Sequence, residues 1–337
     1  MDWIDEADGV FRGGGVKGLA LAGALLGMAD HPKQPVHRWV NVAGASAGAI
    51  IASTLACGFT AEKLEELLRE TEFAQFQDFP LHNKLVGGIP NLVLRHGLAR
   101  GRRFRDWMSG ELGGATFASV RSADGHGWRL KLIAADVTFR RLLVLPDDLA
   151  LYRRLGSATA IDPDQFEIAD AARMSMSIPY FFEPVRLLDH ATGRTATIVD
   201  GGTLSNFPVW LFDVSDRPPS RPTFGFTLKG GKGVGAGLRM VEKRLPWGMR
   251  VAFDMFHTAQ EAWDQRFVSH STRVRTLAVD AADVSTTDFT LSRARQELLV
   301  GNGRRAATEF LDAFKLSDYE NTFHRTFGDP GTESDPI

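Results

Sequence analysis

A chain of 337 residues with 44% hydrophobic and 24% charged residues has the composition of a globular enzyme and the length to bury a substantial core. Its formal net charge of −2, without a long basic run, speaks against a nucleic-acid partner, because counterion release needs clustered Lys and Arg. The single cysteine, Cys57, excludes an intramolecular disulfide and fits a reducing compartment.

The first six residues are acidic and lack the charged and apolar regions of a signal peptide, so the expected location is the cytoplasm, with peripheral membrane contact left open. Residues 9–11 read as a short strand that runs into Gly13-Gly14-Gly15-Val16-Lys17-Gly18. Residues 19–29 then read as a buried helix, too short to span a bilayer. A second strand, 39–43, runs into Gly44-Ala45-Ser46-Ala47-Gly48 and a helix over 47–57, in which Cys57 is expected to pack as a small hydrophobe. Thr60 caps a helix over 61–71. Strands at 130–135 and 141–145 are close enough to pair as a hairpin, and Asp164 is expected to cap a helix through Met174. Residues 195–199 form a strand that ends on Asp200-Gly201-Gly202.

Strands alternating with helices predict an α/β fold, a three-layer αβα arrangement with a mainly parallel central sheet plus a C-terminal helical and strand extension. The division expected is a catalytic domain over 8–229, an extension over 230–327 packing on the core, and a disordered tail over 328–337. Within the first, 73–98 is broken by glycine and proline and suits a cap or lid; its phenylalanines fit an acyl channel and an ordinary subdomain core equally well. The extension offers helices at 247–267 and 292–314 and a strand at 274–279.

All three glycine-bearing segments follow strands, where ligand sites of such sheets lie. Gly-x-Ser-x-Gly is the nucleophile-elbow pattern, with small neighbours that let strand and helix approach while Ser46 takes a strained turn. Consecutive glycines before a helix expose backbone N–H groups to a developing anion, and Lys17 either adds charge there or is a surface side chain. The same loop matches a dinucleotide fingerprint, but that pattern expects a second strand ending in an acidic residue about 20 positions on, whereas Asp30 directly follows a helical segment, and the Lys-Ser or Lys-Thr of a phosphate loop is absent. A serine needs a base. His257, His270 and His324 are available in chain order, yet none sits at a strand end as Asp200 does.

The set comprising the Gly13–Gly18 loop, the Gly44–Gly48 turn, Asp200-Gly201-Gly202 with Asn206 and Pro208, and Ser175-Met176-Ser177-Ile178-Pro179 resembles the patatin-like phospholipase family over about residues 10–228. The resemblance implies a serine acyl hydrolase without histidine: Ser46 as nucleophile, Asp200 as base, and Gly13, Gly14, Gly15 and Gly18 as the oxyanion loop. Lys17, Gly44, Gly48, Gly201, Gly202 and Asn206 support the motifs. It implies a lipid or phospholipid substrate with no cofactor, no metal and no nucleic acid. Two rivals share the motifs: an acyltransferase using the same pair, and an activator-gated or non-catalytic lipid-binding effector.

Overall fold

The computed structural model describes residues 4–76, 97–123, 125, 127–213, 219–229, 270–284 and 291–328. The expected cap falls largely outside these, as do the 247–267 helix, His257 and the tail. Among the described residues a nine-stranded sheet forms the middle layer. Its strands are β1 (Glu6–Phe11), β2 (Arg38–Ala45), β4 (Leu130–Asp136), β5 (Arg141–Leu145), β6 (Tyr152–Arg153), β8 (Val185–Asp189), β9 (Thr195–Asp200), β10 (Thr223–Lys229) and β11 (Thr276–Asp280). A separate parallel pair joins β3 (Gly97–Ala99) to β7 (Tyr180–Phe182).

The order β11-β10-β1-β2-β4-β9-β8-β6 is parallel from β11 to β4 and antiparallel from β4 onward, with β5 pairing antiparallel to β4 as the hairpin reading expects. The mainly parallel sheet is thus parallel in one half, and β4 is the strand at which direction changes. Phe11 stacks on Phe226 at 4.8 Å, and Trp39 meets both edge-on, which ties β1, β2 and β10 together. On the opposite side Val10 and Ala43 pack beneath Phe207 and Val209.

Helix α1 (Gly18–Ala29) carries apolar side chains all round because it is buried on every side. Its backbone touches α6 (Arg293–Ala313): a Cβ at Gly23 would lie 2.3 Å from the Val300 carbonyl oxygen, and one at Gly303 2.1 Å from that of Ala20. Helix α2 (Ala47–Ala56) follows β2, and α3 (Ala61–Glu70) begins where Thr60 accepts the Lys63 N–H. Between them Cys57 is half-buried, and burial raises its thiol pKa to about 11, which leaves it unreactive. Helix α4 (Arg102–Glu111) packs against α5 (Ile168–Ser175), and α7 (Leu316–Gly328) ends the described chain.

One predicted boundary is corrected. Asp164 does not cap α5, which starts four residues later; its carboxylate is instead held by Arg121 and by Trp128 Nε1 at 3.0 Å, so a tertiary ion pair overrides the local cap.

Candidate active site

Ser46 stands alone between the end of β2 and the start of α2, at φ 53° and ψ −127°. A non-glycine residue there stores about 1–3 kcal/mol of backbone strain, which the flanking glycines make possible to hold. A Cβ at Gly44 would sit 2.2 Å from the Gly48 carbonyl oxygen, and one at Gly48 would sit 2.1 Å from that of Phe11. Both clashes are with backbone, so the turn closes only because these two positions are bare. The Ser46 side chain makes no capping bond to its own helix, which leaves Oγ for chemistry at the positive end of α2.

Strand β4 sets the spacing of the site: Ala45 pairs with Ile133 and Asp200 with the next residue, Ala134. Gly201 permits this approach, since a Cβ would lie 2.2 Å from the Ile133 carbonyl oxygen. Asp200 has no exposed surface. Its Oδ1 accepts the Gly202 N–H at 2.7 Å and its own N–H donates to the Ser177 carbonyl at 2.9 Å, whereas Oδ2 is buried without a partner. Burial lifts the carboxyl pKa from 3.8 to about 7, with Ser46 and the Gly202 N–H pulling the other way. Ser46 is thus near enough to favour the carboxylate, but its hydroxyl points to Met176 Sδ at 3.8 Å and completes no hydrogen bond to Oδ2. Among the described residues, His31, His37 and His190 make no hydrogen bond to Ser46 or Asp200.

The glycine loop lies against this pair. A Cβ at Gly13 would meet Asn206 Oδ1 at 2.4 Å and Ser46 Cβ at 2.8 Å, so the loop passes between them. The Gly13 N–H donates to the Asn206 carbonyl at 3.4 Å, and Asn206 Oδ1 is itself buried without a partner. Gly15 takes a left-handed φ of 58° that turns the chain into the helix. Among the described residues the N–H groups of Gly14 and Gly15 have no acceptor. Gly18 differs from its expected role: its N–H is occupied by the Gly15 and Val16 carbonyls, because the loop closes as a 3-10 turn before α1. Lys17 is buried and engaged, not a surface side chain.

Two supporting residues carried no sequence signal of their role. Ser175 Oγ accepts the Ser46 N–H at 3.0 Å and donates to the Ile133 carbonyl at 2.6 Å, bolting the elbow to β4. Arg173, buried, donates to Ser177 Oγ at 2.5 Å and to the Arg100 and Glu183 carbonyls at 2.9 and 2.6 Å. The Ser-x-Ser spacing was visible, but the partners of Ser175 lie more than 40 residues away. Among the described residues no cluster of His, Cys, Asp or Glu has the makings of a metal site, and no helix is long and apolar enough to cross a membrane.

The family model described as patatin-like phospholipase matches residues 9–213. The uncharacterized protein YqhO of Bacillus subtilis (strain 168) is 37% identical over 316 residues, covering 90% of this chain and 97% of its own. An uncharacterized protein of Acanthamoeba polyphaga mimivirus is 26% identical over 215 residues, 60% of this chain and 59% of its own. The crystal structure of VipD from Legionella pneumophila superposes with a TM-score of 0.54 at 15% identity, over 92% of this chain and 67% of that one, which is a likeness of fold.

Proposed function

We propose that this chain, which belongs to the patatin-like phospholipase family, hydrolyses fatty-acyl esters of phospholipids or lysophospholipids through a Ser46–Asp200 dyad. The observation that carries the reading is the buried, partnerless Oδ2 of Asp200 beside a strained serine, with a pKa lifted to the range in which a carboxylate is an effective base. Ser46 Oγ swings from Met176 to Asp200, gives up its proton to Oδ2 and attacks the acyl carbonyl. The N–H groups of Gly14 and Gly15, without an acceptor among the described residues, suit the oxyanion that develops, and one such donor is typically worth about 2.7–4 kcal/mol. Collapse breaks the ester bond, the leaving alkoxide takes the proton from Asp200, and an acyl–Ser46 ester remains. Water then gives a proton to Asp200 and attacks the ester; the acyl–Oγ bond breaks, Ser46 Oγ takes the proton back from Asp200, and the fatty acid leaves.

The test is fatty-acid release from mixed phospholipid and lysophospholipid micelles by wild type, Ser46→Ala and Asp200→Asn. Wild-type release that falls at least roughly 10³-fold in both folded variants is expected. Full activity in Ser46→Ala would sink the dyad.

A further inference from the structure

The antiparallel half of the sheet has a charge pattern that hydrolysis does not use. Segments 137–161 and 185–199 carry six arginines against three acidic residues, in a chain whose net charge is −2; of the three, Asp147 is paired with Lys131 and Asp148 accepts the Val144 N–H. Asp189 is 3% exposed and lies 3.5 Å from Arg141, so it presents no negative charge outward. Arg154 is engaged by Asp170 at 3.0 Å and Arg153 by the Ser157 carbonyl at 3.3 Å. Arg140, Arg186 and Arg194 are exposed and, among the described residues, have no carboxylate partner.

The fold brings these segments together. Arg186 pairs across β8 and β9 with Thr197, whose carbonyl accepts the Val137 N–H at 3.1 Å. Arg141 and Arg194 both stack on Phe139, at 4.9 and 5.2 Å, and the Leu151 carbonyl accepts the His190 N–H at 2.8 Å. Among the guanidiniums stand aliphatic side chains of unusual exposure: Val137 at 47%, Leu151 at 44% and Leu155 at 58%. Val137 lies three residues beyond Ala134, the partner of Asp200, or roughly 10 Å along β4 at strand rise. It therefore projects from the carboxyl end of the strand, the end at which Ser46 and Asp200 sit.

Resting on the reading that the substrate is a membrane lipid, we propose that this surface docks on an anionic phospholipid bilayer. Arg140, Arg186 and Arg194 meet the phosphates, and Val137, Leu151 and Leu155 enter the acyl boundary. Guanidiniums interleaved with bare aliphatic side chains fit a bilayer, whose surface is anionic and whose depth is apolar. A nucleic acid would call for exposed aromatic stacking partners and has no use for exposed valine and leucine.

The full chain bearing Ser46→Ala, which leaves vesicles intact, is sedimented with vesicles of phosphatidylcholine alone or mixed with phosphatidylglycerol. Binding to the mixed vesicles only, weakened by salt, is expected. Adding Arg140→Gln, Arg186→Gln and Arg194→Gln should lower it on the order of 100-fold at low salt, while Val137→Ser with Leu155→Ser should weaken what salt leaves. In the Ser46 background the arginine changes should leave turnover of a short soluble ester unaltered, which also reports an intact fold. Equal binding to both vesicle types, or retention by the triple variant, would overturn the proposal, as would tighter arginine-dependent binding to single-stranded RNA. Because vesicle binding is read without Ser46, the docking face and the hydrolase reading fail separately.

Discussion

Replacing Asp200 by asparagine keeps the shape of the side chain and removes its charge. The carboxyl has no exposed surface, and burial raises its pKa to about 7. In the unfolded chain it titrates near 3.9. The folded state therefore binds the proton more tightly, so the contribution of this group to stability is full below about pH 4 and is lost as the pH rises to about 7. Roughly three pH units at about 1.4 kcal/mol each put the destabilisation of the wild type at about 4 kcal/mol above neutrality. Asparagine, neutral throughout, keeps the Gly202 N–H bond and does not bear that cost. Asp200→Asn should thus match the wild type near pH 4 and exceed it near pH 8. With about 2.1 cal/mol/K of unfolding entropy per residue over 337 residues, the gap is roughly 6 °C in Tm. Paired thermal melts at the two pH values read it directly. A gap that does not change with pH, or a variant less stable than wild type at about pH 8, would show that Asp200 is not a charge held out of water.

With Asp200 as the proposed base, kcat/KM on a soluble ester should rise with pH and reach half its plateau near pH 7, whereas a midpoint near 4 would mean a solvated base. Gly48→Ala drives a methyl group to within 2.1 Å of the Phe11 carbonyl oxygen and should cost about 1–3 kcal/mol in a urea titration, with loss of turnover; unchanged stability would refute the packing account of the elbow. Ser175→Ala leaves the Ser46 N–H without an acceptor, and it should cost about 1–3 kcal/mol. Its kcat should fall while KM stays near the wild-type value, and a KM effect alone would place Ser175 in substrate binding instead.

The elements nearest the site are the ones most readable from sequence, because each is dictated by backbone need. Gly44, Gly48 and Gly201 are bare where another strand or helix comes within 2.2 Å of their absent Cβ atoms, and such demands leave a local pattern. Strands β1, β2, β4, β5 and β9 were likewise legible from short apolar runs bounded by glycine or charge. What could not be read is long-range: the Ser175 contacts with Ser46 and Ile133, the bond from Arg173 to the Arg100 carbonyl, and the capture of Asp164 by Arg121, all made across more than 40 residues. Gly18 shows a different limit, since a glycine that donates to an anion and one that closes a 3-10 turn look alike in sequence.

The family model and the fold end at different places in this chain. The family match stops at residue 213, yet β10 and β11 extend the parallel half of the sheet beyond β1, and α6 lies against α1 at backbone distance. A polypeptide trimmed to the matched span would turn β1 into a raw sheet edge and strip the most apolar helix of its cover, an invitation to aggregate. Helix α1 begins at the glycine loop, so a bulky change at Gly23 or Gly303, some distance from any chemistry, would push on the loop itself. Inherited lesions, crossover points and engineered truncations in this protein are therefore best judged by which glycine contacts they interrupt, and not by where the recognisable family sequence runs out.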